Sequence, residues 1–212
     1  ALTLRLHLGR FELSSVAAML ASNRNRYYAA HRLDIGIGPV AIGVQEAAVF
    51  QSPHFDPTYL FPISFYYGNQ FNERADDNVL LGADIKWGSP WAVFDAELLV
   101  DDFIYDGDPA PQKFGWRAGV THAVQAGGGA LDLRLTYGRV SRWTFTHRLA
   151  TAYYVAGNGD PQSGDPFLGT ALGPDADRWT AGAEWTPDAR RKLWLRWAGW
   201  PRGWGARARW SP

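Results

Sequence analysis

Apolar and polar residues alternate with a period of two along most of the chain, most plainly in the hairpin from Asn78 to Phe103. Its first arm puts Val79, Leu81, Ala83, Ile85 and Trp87 on one face and Leu80, Gly82, Asp84 and Lys86 on the other, which is the signature of a strand. After the Gly88-Ser89-Pro90 turn, Ala92, Phe94, Ala96, Leu98 and Val100 point one way, while Asp95, Glu97 and Asp101 point the other. One face is greasy and the other charged. Trp87 and Trp91 flank the turn as an interfacial girdle would.

The same pattern recurs on both sides of this hairpin. Leu2 to Leu8 alternate with Thr3, Arg5 and His7; Gly9-Arg10 turns the chain, and a return arm runs from Phe11 to about Ala21. The polar Ser22 to Arg26 stretch reads as a loop. Tyr27 to Ile37 is a strand, and Gly38-Pro39 turns it into Val40, Ile42 and Val44. Glu46 keeps the parity of those apolar residues, a conflict that a bulge near Gln45 or a place above a hydrocarbon band would resolve. Residues 51–77 lose the alternation and read as a long loop with a helical turn after Pro57. Phe114 to Thr121, Leu131 to Tyr137, Trp179 to Trp185 and Leu193 to Trp197 are further strands, with a second long loop at 145–177.

Tight connections at Gly9-Arg10, Gly38-Pro39, Gly88-Pro90, Gln125-Gly129 and Pro187-Arg190 alternate strictly with longer ones at Ser22-Arg26, Gln51-Asp77, Ile104-Gln112 and Phe145-Asp177. That asymmetry belongs to outer-membrane barrels, with short turns on one side and longer loops outside. The expected fold is therefore all-β, an antiparallel up-and-down transmembrane barrel in which this chain supplies about ten strands. One domain, or a fragment of one, spans residues 1–212, with 51–77 and 145–177 as extracellular or plug loops. Ala1 opens directly into a strand, and Trp210-Ser211-Pro212 does not make a terminal aromatic strand. The expectation is a piece of a larger barrel.

Composition narrows the class. The chain carries 21 basic and 21 acidic residues, a formal net charge of zero, and so has no basic field for nucleic acid. It has no cysteine, which removes disulfides and thiolate metal sites. No run approaches the ~20 apolar residues of a membrane-crossing helix. A low mean hydropathy does not count against a barrel, because every second residue faces a polar interior. Aromatic residues make up 15% of the chain and there are 23 glycines, both of which suit pleated walls and turns.

The polar face carries Arg5, Arg32, Asp34, Asp84, Lys86, Asp95, Glu97, Asp101, Arg117, Asp132, Arg134, Glu184 and Arg196. With both signs present on neighbouring strands, pairing across the wall is expected, giving a filled or narrow interior rather than a single-sign ion filter. The Asp101-Asp102 pair with Asp106 and Asp108 lacks calcium-loop spacing and reads as a solvated mouth, so no metal and no cofactor is expected. The histidines show no HExxH spacing, and there is no GxSxG, P-loop or GxGxxG motif; Ser141 and His147 are merely near in sequence. The chemistry is expected to be non-catalytic. In the long loops Tyr59, Phe61, Phe65, Tyr66, Tyr67, Phe71, Tyr153 and Tyr154 stand beside Asn69, Gln70, Asn72, Asp76, Asp77, Asn158 and Asp160. This mixture suits sugar rings, and it would equally fold over and plug a barrel.

Several stretches in order resemble the capsule assembly Wzi family of outer-membrane barrels. They are AAHRLDIGIGPVAIGVQEAAVF (Ala29–Phe50), Tyr59-Leu60-Phe61-Pro62, NVLLGADIKW (Asn78–Trp87), LLVDDF (Leu98–Phe103), FTHR (Phe145–Arg148) and FLGTALGPDAD (Phe167–Asp177). The resemblance implies an outer-membrane barrel, eighteen-stranded in the family, that holds capsular polysaccharide at the cell surface in a lectin-like way, without catalysis or cofactor. On this reading the partners are capsular or extracellular polysaccharide and outer-membrane lipid, and the localisation is the outer membrane. Matching positions carry His31, Arg32, Glu46, Asn78, Asp101, Asp102 and His147 as a group at the lumen or outer mouth that binds polysaccharide or braces the loops, joined by Tyr59, Tyr66 and Tyr67. A passive diffusion channel is the alternative reading.

Overall fold

The computed structural model describes residues 1–21, 25–61, 64–68, 77–101, 113–147, 154–157, 168, 172–188 and 191–199. Ten strands follow in chain order: β1 (Leu2–Leu8), β2 (Phe11–Ala21), β3 (Arg26–Ile37), β4 (Val40–Gln51), β5 (Asn78–Gly88), β6 (Val93–Asp101), β7 (Phe114–Ala126), β8 (Gly129–Val140), β9 (Ala176–Asp188) and β10 (Arg191–Gly199). Each pairs antiparallel with the next, so sheet order is sequence order, and β1 and β10 form the two edges of a sheet that does not close on itself. The expected up-and-down architecture is present. The expected helical turn is a single 3₁₀ turn, Pro57–Leu60, whose N-cap Asp56 accepts from the Thr58 backbone N–H at 2.9 Å.

Two boundaries differ from the alternation in the sequence. The central hairpin turn extends to Ala92, because Ser89 N–H donates to the Ala92 carbonyl at 2.8 Å and Ala92 N–H donates back to Ser89 Oγ at 3.0 Å. Strand β8 continues to Val140 and ends where Ser141 Oγ accepts the Phe114 N–H at 3.1 Å, capping the edge of β7. Gly9 and Gly38, with φ of 64° and 57°, take the left-handed backbone that their two-residue turns require.

The polar face works as a charge ladder built over glycine gaps. Asp34, Gly43 and Asp84 stand side by side on β3, β4 and β5. A Cβ on Gly43 would lie 2.0 Å from Arg32 Nη2, so its absence lets the guanidinium lie flat across β4. There Arg32 donates Nη2 to Asp34 at 2.6 Å, Nη1 to Asp84 at 2.6 Å and Nη1 to Gln45 Oε1 at 3.2 Å. The device repeats on β6 and β7: Gly119 stands opposite Asp95, and Arg117 reaches Asp95 at 2.7 Å and Glu97 at 3.3 Å. The expected pairing of charges across strands is thus realised. Thr3 and Arg5 of β1 share a recess of about 440 Å³ with Glu97 and Leu99 of β6, so the sheet curls toward this face.

The opposite face is apolar and largely open. Leu4, Leu6, Ile42, Val44, Ile85, Leu98, Leu133, Leu135, Leu193 and Leu195 are all exposed. Aromatic residues gather at both of its margins. Trp87 and Trp91 pack on Phe94 with centroids 5.3 and 5.2 Å apart near the tight turns, while Trp116, Tyr137 and Trp179 form a row, 5.2 and 4.7 Å apart, toward the long loops. Trp179 and Trp185 bracket Ala181 and Ala183 on β9, a span of about 20 Å along the strand. Among the described residues no helix is long and apolar enough to cross a membrane, a criterion that does not concern strands.

Candidate functional site

The long-loop end of the wall carries the buried chemistry, and the two faces carry separate parts of it. On the apolar face Tyr27, Ala29, Ala48, Phe50 and Val79 are buried, although they share parity with exposed Val44 and Ile85. The cover is the first long loop, through Phe55, Tyr59, Tyr66 and Tyr67. Tyr59 stacks on Phe50 with ring centroids 4.3 Å apart, Tyr66 meets Tyr59 edge-on at 4.8 Å, and Phe55 closes on Tyr27 and Phe50 at 5.5 Å each. Each such pair contributes about 0.5–1.5 kcal/mol beyond its burial. Tyr66 Oη donates to the Tyr59 carbonyl at 2.9 Å and Tyr59 Oη to Asp77, so neither tyrosine leaves a buried hydroxyl unsatisfied.

Glu46 is the pivot of this arrangement. The β3–β4–β5 register runs unbroken through it, so the bulge considered from the sequence is absent and its side chain does point to the apolar face. The loop neutralises the conflict. Glu46 accepts the backbone N–H groups of Tyr66 at 2.9 Å and Tyr67 at 3.2 Å, and His31 Nε2 lies 3.2 Å away. A charge on the greasy face is tolerated because it serves as the anchor of the segment that buries it. His31 also meets the Tyr66 ring at 4.3 Å. Burial, and then the charge of Glu46, push the Tyr66 phenol above its ordinary range.

The second long loop lies on the polar face. Phe145 and Tyr154 are buried there against Val49, Leu80 and Val140. Asp101, fully buried at the end of β6, accepts the Phe145 N–H; Phe145 takes a φ of 71° to present it. Tyr154 Oη donates to the Ala47 carbonyl, and its backbone N–H to the Phe145 carbonyl at 3.2 Å. Burial holds the Tyr154 phenol well above its ordinary range. Arg26, wholly buried, donates to the carbonyls of Gly157 and Val155, the latter at 3.2 Å. Lys113 Nζ adds a bond to the Thr146 carbonyl at 3.2 Å.

The residues singled out from the sequence thus divide. His31, Glu46, Tyr59, Tyr66 and Tyr67 meet on the apolar face; Arg32, Asn78 and Asp101 are on the polar face, with Asn78 buried opposite Val49. The wall stands between the two sets. His147 is half-buried just beyond the Ser141–Thr146 turn, and Ser141 Oγ bonds Thr144 Oγ1 at 2.8 Å. Asp102, Asp106, Asp108, Pro62, Tyr153, Asn158, Asp160 and the stretch 69–76 lie outside the described residues. Arg26 is a loop-holding side chain that sequence reasoning missed. It shares parity with Tyr28 and Arg32, but its position in the polar SNRNR run made it look like part of a solvated loop.

Fold and loops together define a class: a strip of antiparallel barrel wall, charged on one face and greasy on the other, with a long loop folded back onto each. Among solved structures it is similar to Wzi of Escherichia coli, described as an outer-membrane protein involved in group 1 capsule assembly and a carbohydrate-binding β-barrel. The TM-score is 0.58 at 16% sequence identity, over 90% of this chain and 42% of that one, so this chain spans less than half the length of that barrel. No protein-family model and no curated protein matches the sequence.

Proposed function

We propose that this chain forms part of the wall of an outer-membrane β-barrel that holds capsular or extracellular polysaccharide at the cell surface without catalysis. The observation that carries the reading is the two-faced wall: a contiguous exposed apolar face, flanked by aromatic rows, that would aggregate in water and suits lipid. The likeness in fold to a carbohydrate-binding barrel supports the capsule side of it. In this reading Glu46, Tyr59 and Tyr66 brace the loops, because their polar atoms and ring faces are already occupied, and His31 supports Glu46 through its Nε2. Arg26 and Asp101 do the same on the polar face. The sugar-facing surface then falls to exposed groups at the rim, of which Trp143, 44% exposed with the Arg142 guanidinium 5.1 Å from its ring, is the best suited to stack on a pyranose. A diffusion channel is less favoured, since paired charges and the second loop occupy the polar face.

The test is retention of purified capsular polysaccharide by the detergent-solubilised protein. Wild type is expected to retain it, Trp143→Ala to lose at least tenfold in affinity, and Tyr59→Phe to change little. Failure of the wild-type protein to retain any polysaccharide would refute the capsule assignment.

A further inference from the structure

The first long loop buries one set of aromatic residues and displays another. Tyr59 and Tyr66 face the wall, but Leu60, Phe61 and Phe65 point away from it, Phe61 being 63% and Phe65 77% exposed. They do so on the face that carries the exposed leucines and valines, not on the polar face. Beneath Phe65 a recess of about 540 Å³ is lined by Leu13, Leu33, Val44, Leu81 and Leu98. A second one of about 360 Å³ lies on the other flank of the loop, between Met19, Tyr27, Phe55 and Leu60.

We propose that this loop is a membrane-interface wedge: Leu60, Phe61 and Phe65 insert among the acyl chains of the surrounding leaflet, and the recess beneath Phe65 seats one such chain. The inference rests on the barrel reading and goes beyond it, because a long loop of a barrel is by default a solvent-facing element. The chemistry selects lipid over sugar. A pyranose needs several hydroxyl partners, yet the Glu46 carboxylate at the recess is spent on the N–H groups of Tyr66 and Tyr67, His31 Nε2 is turned to that same carboxylate, and among the described residues the only other polar side chains in the lining are Gln45 and Ser64. The rest of the lining is mostly hydrocarbon, continuous with the apolar wall below it, and burying it in lipid contributes roughly in proportion to its area. The anchor at Glu46 also keeps the loop against the wall, where exposed phenylalanines meet lipid rather than water.

The absence of cysteine makes the experiment clean, because single spin labels can be attached one at a time. Labels at Phe65→Cys, Phe61→Cys, Leu133→Cys and Arg10→Cys are compared in protein reconstituted into phosphatidylcholine vesicles, using collision with oxygen, which concentrates in hydrocarbon, and with a neutral nickel chelate, which stays in water. The expected result is an oxygen-to-nickel ratio at positions 65 and 61 at least fivefold above that at position 10, and below that at position 133. Labels at 65 and 61 as nickel-accessible as the label at 10, with 133 shielded, would overturn the wedge and leave the barrel standing. A nickel-accessible label at 133 would overturn the barrel reading and the wedge together. Shielding at 65 and 61 from both reagents would mean a protein surface covers them, which also overturns the proposal.

Discussion

Replacing Glu46 with alanine isolates the contribution of one outward-pointing carboxylate. In the wild type this group accepts two backbone N–H bonds and a contact from His31 Nε2 at 3.2 Å, all with its side chain almost completely buried. The substitution strands one buried donor at Tyr66, costing about 1–3 kcal/mol, and a part-buried one at Tyr67, which costs less, and leaves His31 Nε2 without its carboxylate contact. Because the loop can swing out and let water reach those donors, the loss is capped by the docking free energy of the segment. An effect of about 3 kcal/mol on docking is therefore expected, which corresponds to roughly a hundredfold increase in local opening. Hydrogen exchange resolved to single amides reads this directly: protection at Tyr66 and Tyr67 should fall about a hundredfold, while amides in the paired stretch Leu33–Val44 keep theirs. Glu46→Gln, which retains one carbonyl acceptor, should fall between the two. Unchanged protection at Tyr66 and Tyr67 in Glu46→Ala would refute the idea that this carboxylate holds the loop down.

Two further outcomes follow from the same geometry. Burial raises the phenols of Tyr66 and Tyr154 above the unfolded value of about 10, so the folded state keeps protons that the unfolded state has released. Their contribution is complete below pH 10 and declines as pH rises through the folded values. Absorbance at 295 nm should show that part of the signal of the nine tyrosines appears only when the loops release, and Tyr66→Phe with Tyr154→Phe should diminish that late step; a single titration near pH 10 without structural change would contradict it. At Gly129 a Cβ would sit 2.3 Å from the Thr186 carbonyl oxygen and 2.5 Å from Pro187 Cα, both backbone atoms. Gly129→Ala should lower the urea midpoint by an amount equivalent to about 2 kcal/mol or more, whereas Gly36→Ala, with nothing within 4 Å, should leave it nearly unchanged; equal midpoints would show that the β8–β9 start can shift freely.

What the sequence determined alone was everything that a period of two encodes. The alternation of Leu33, Ile35 and Ile37 with Arg32, Asp34 and Gly36 sets strand identity, face and neighbour, and short Gly turns force the next strand to pair antiparallel. Part of the charge ladder was legible too, because a carboxylate and a guanidinium on adjacent strands of one face, such as Asp95 and Arg117, come within reach once the register is set, whereas the reach of Arg32 over Gly43 to Asp84 two strands away depends on the open gap at that glycine. The loops were different. Their composition marked Tyr59, Tyr66 and Tyr154 as aromatic groups among polar ones, which is equally the pattern of an exposed sugar platform and of a packed cover. Only tertiary structure decided that the first loop closes on the greasy face and the second on the charged one, because that choice rests on contacts between residues distant in the chain. Glu46 reaching Tyr66, and Arg26 reaching Val155 across 129 positions, leave no local periodicity to read. For the same reason Glu46 looked like an error of parity and proved to be a docking point.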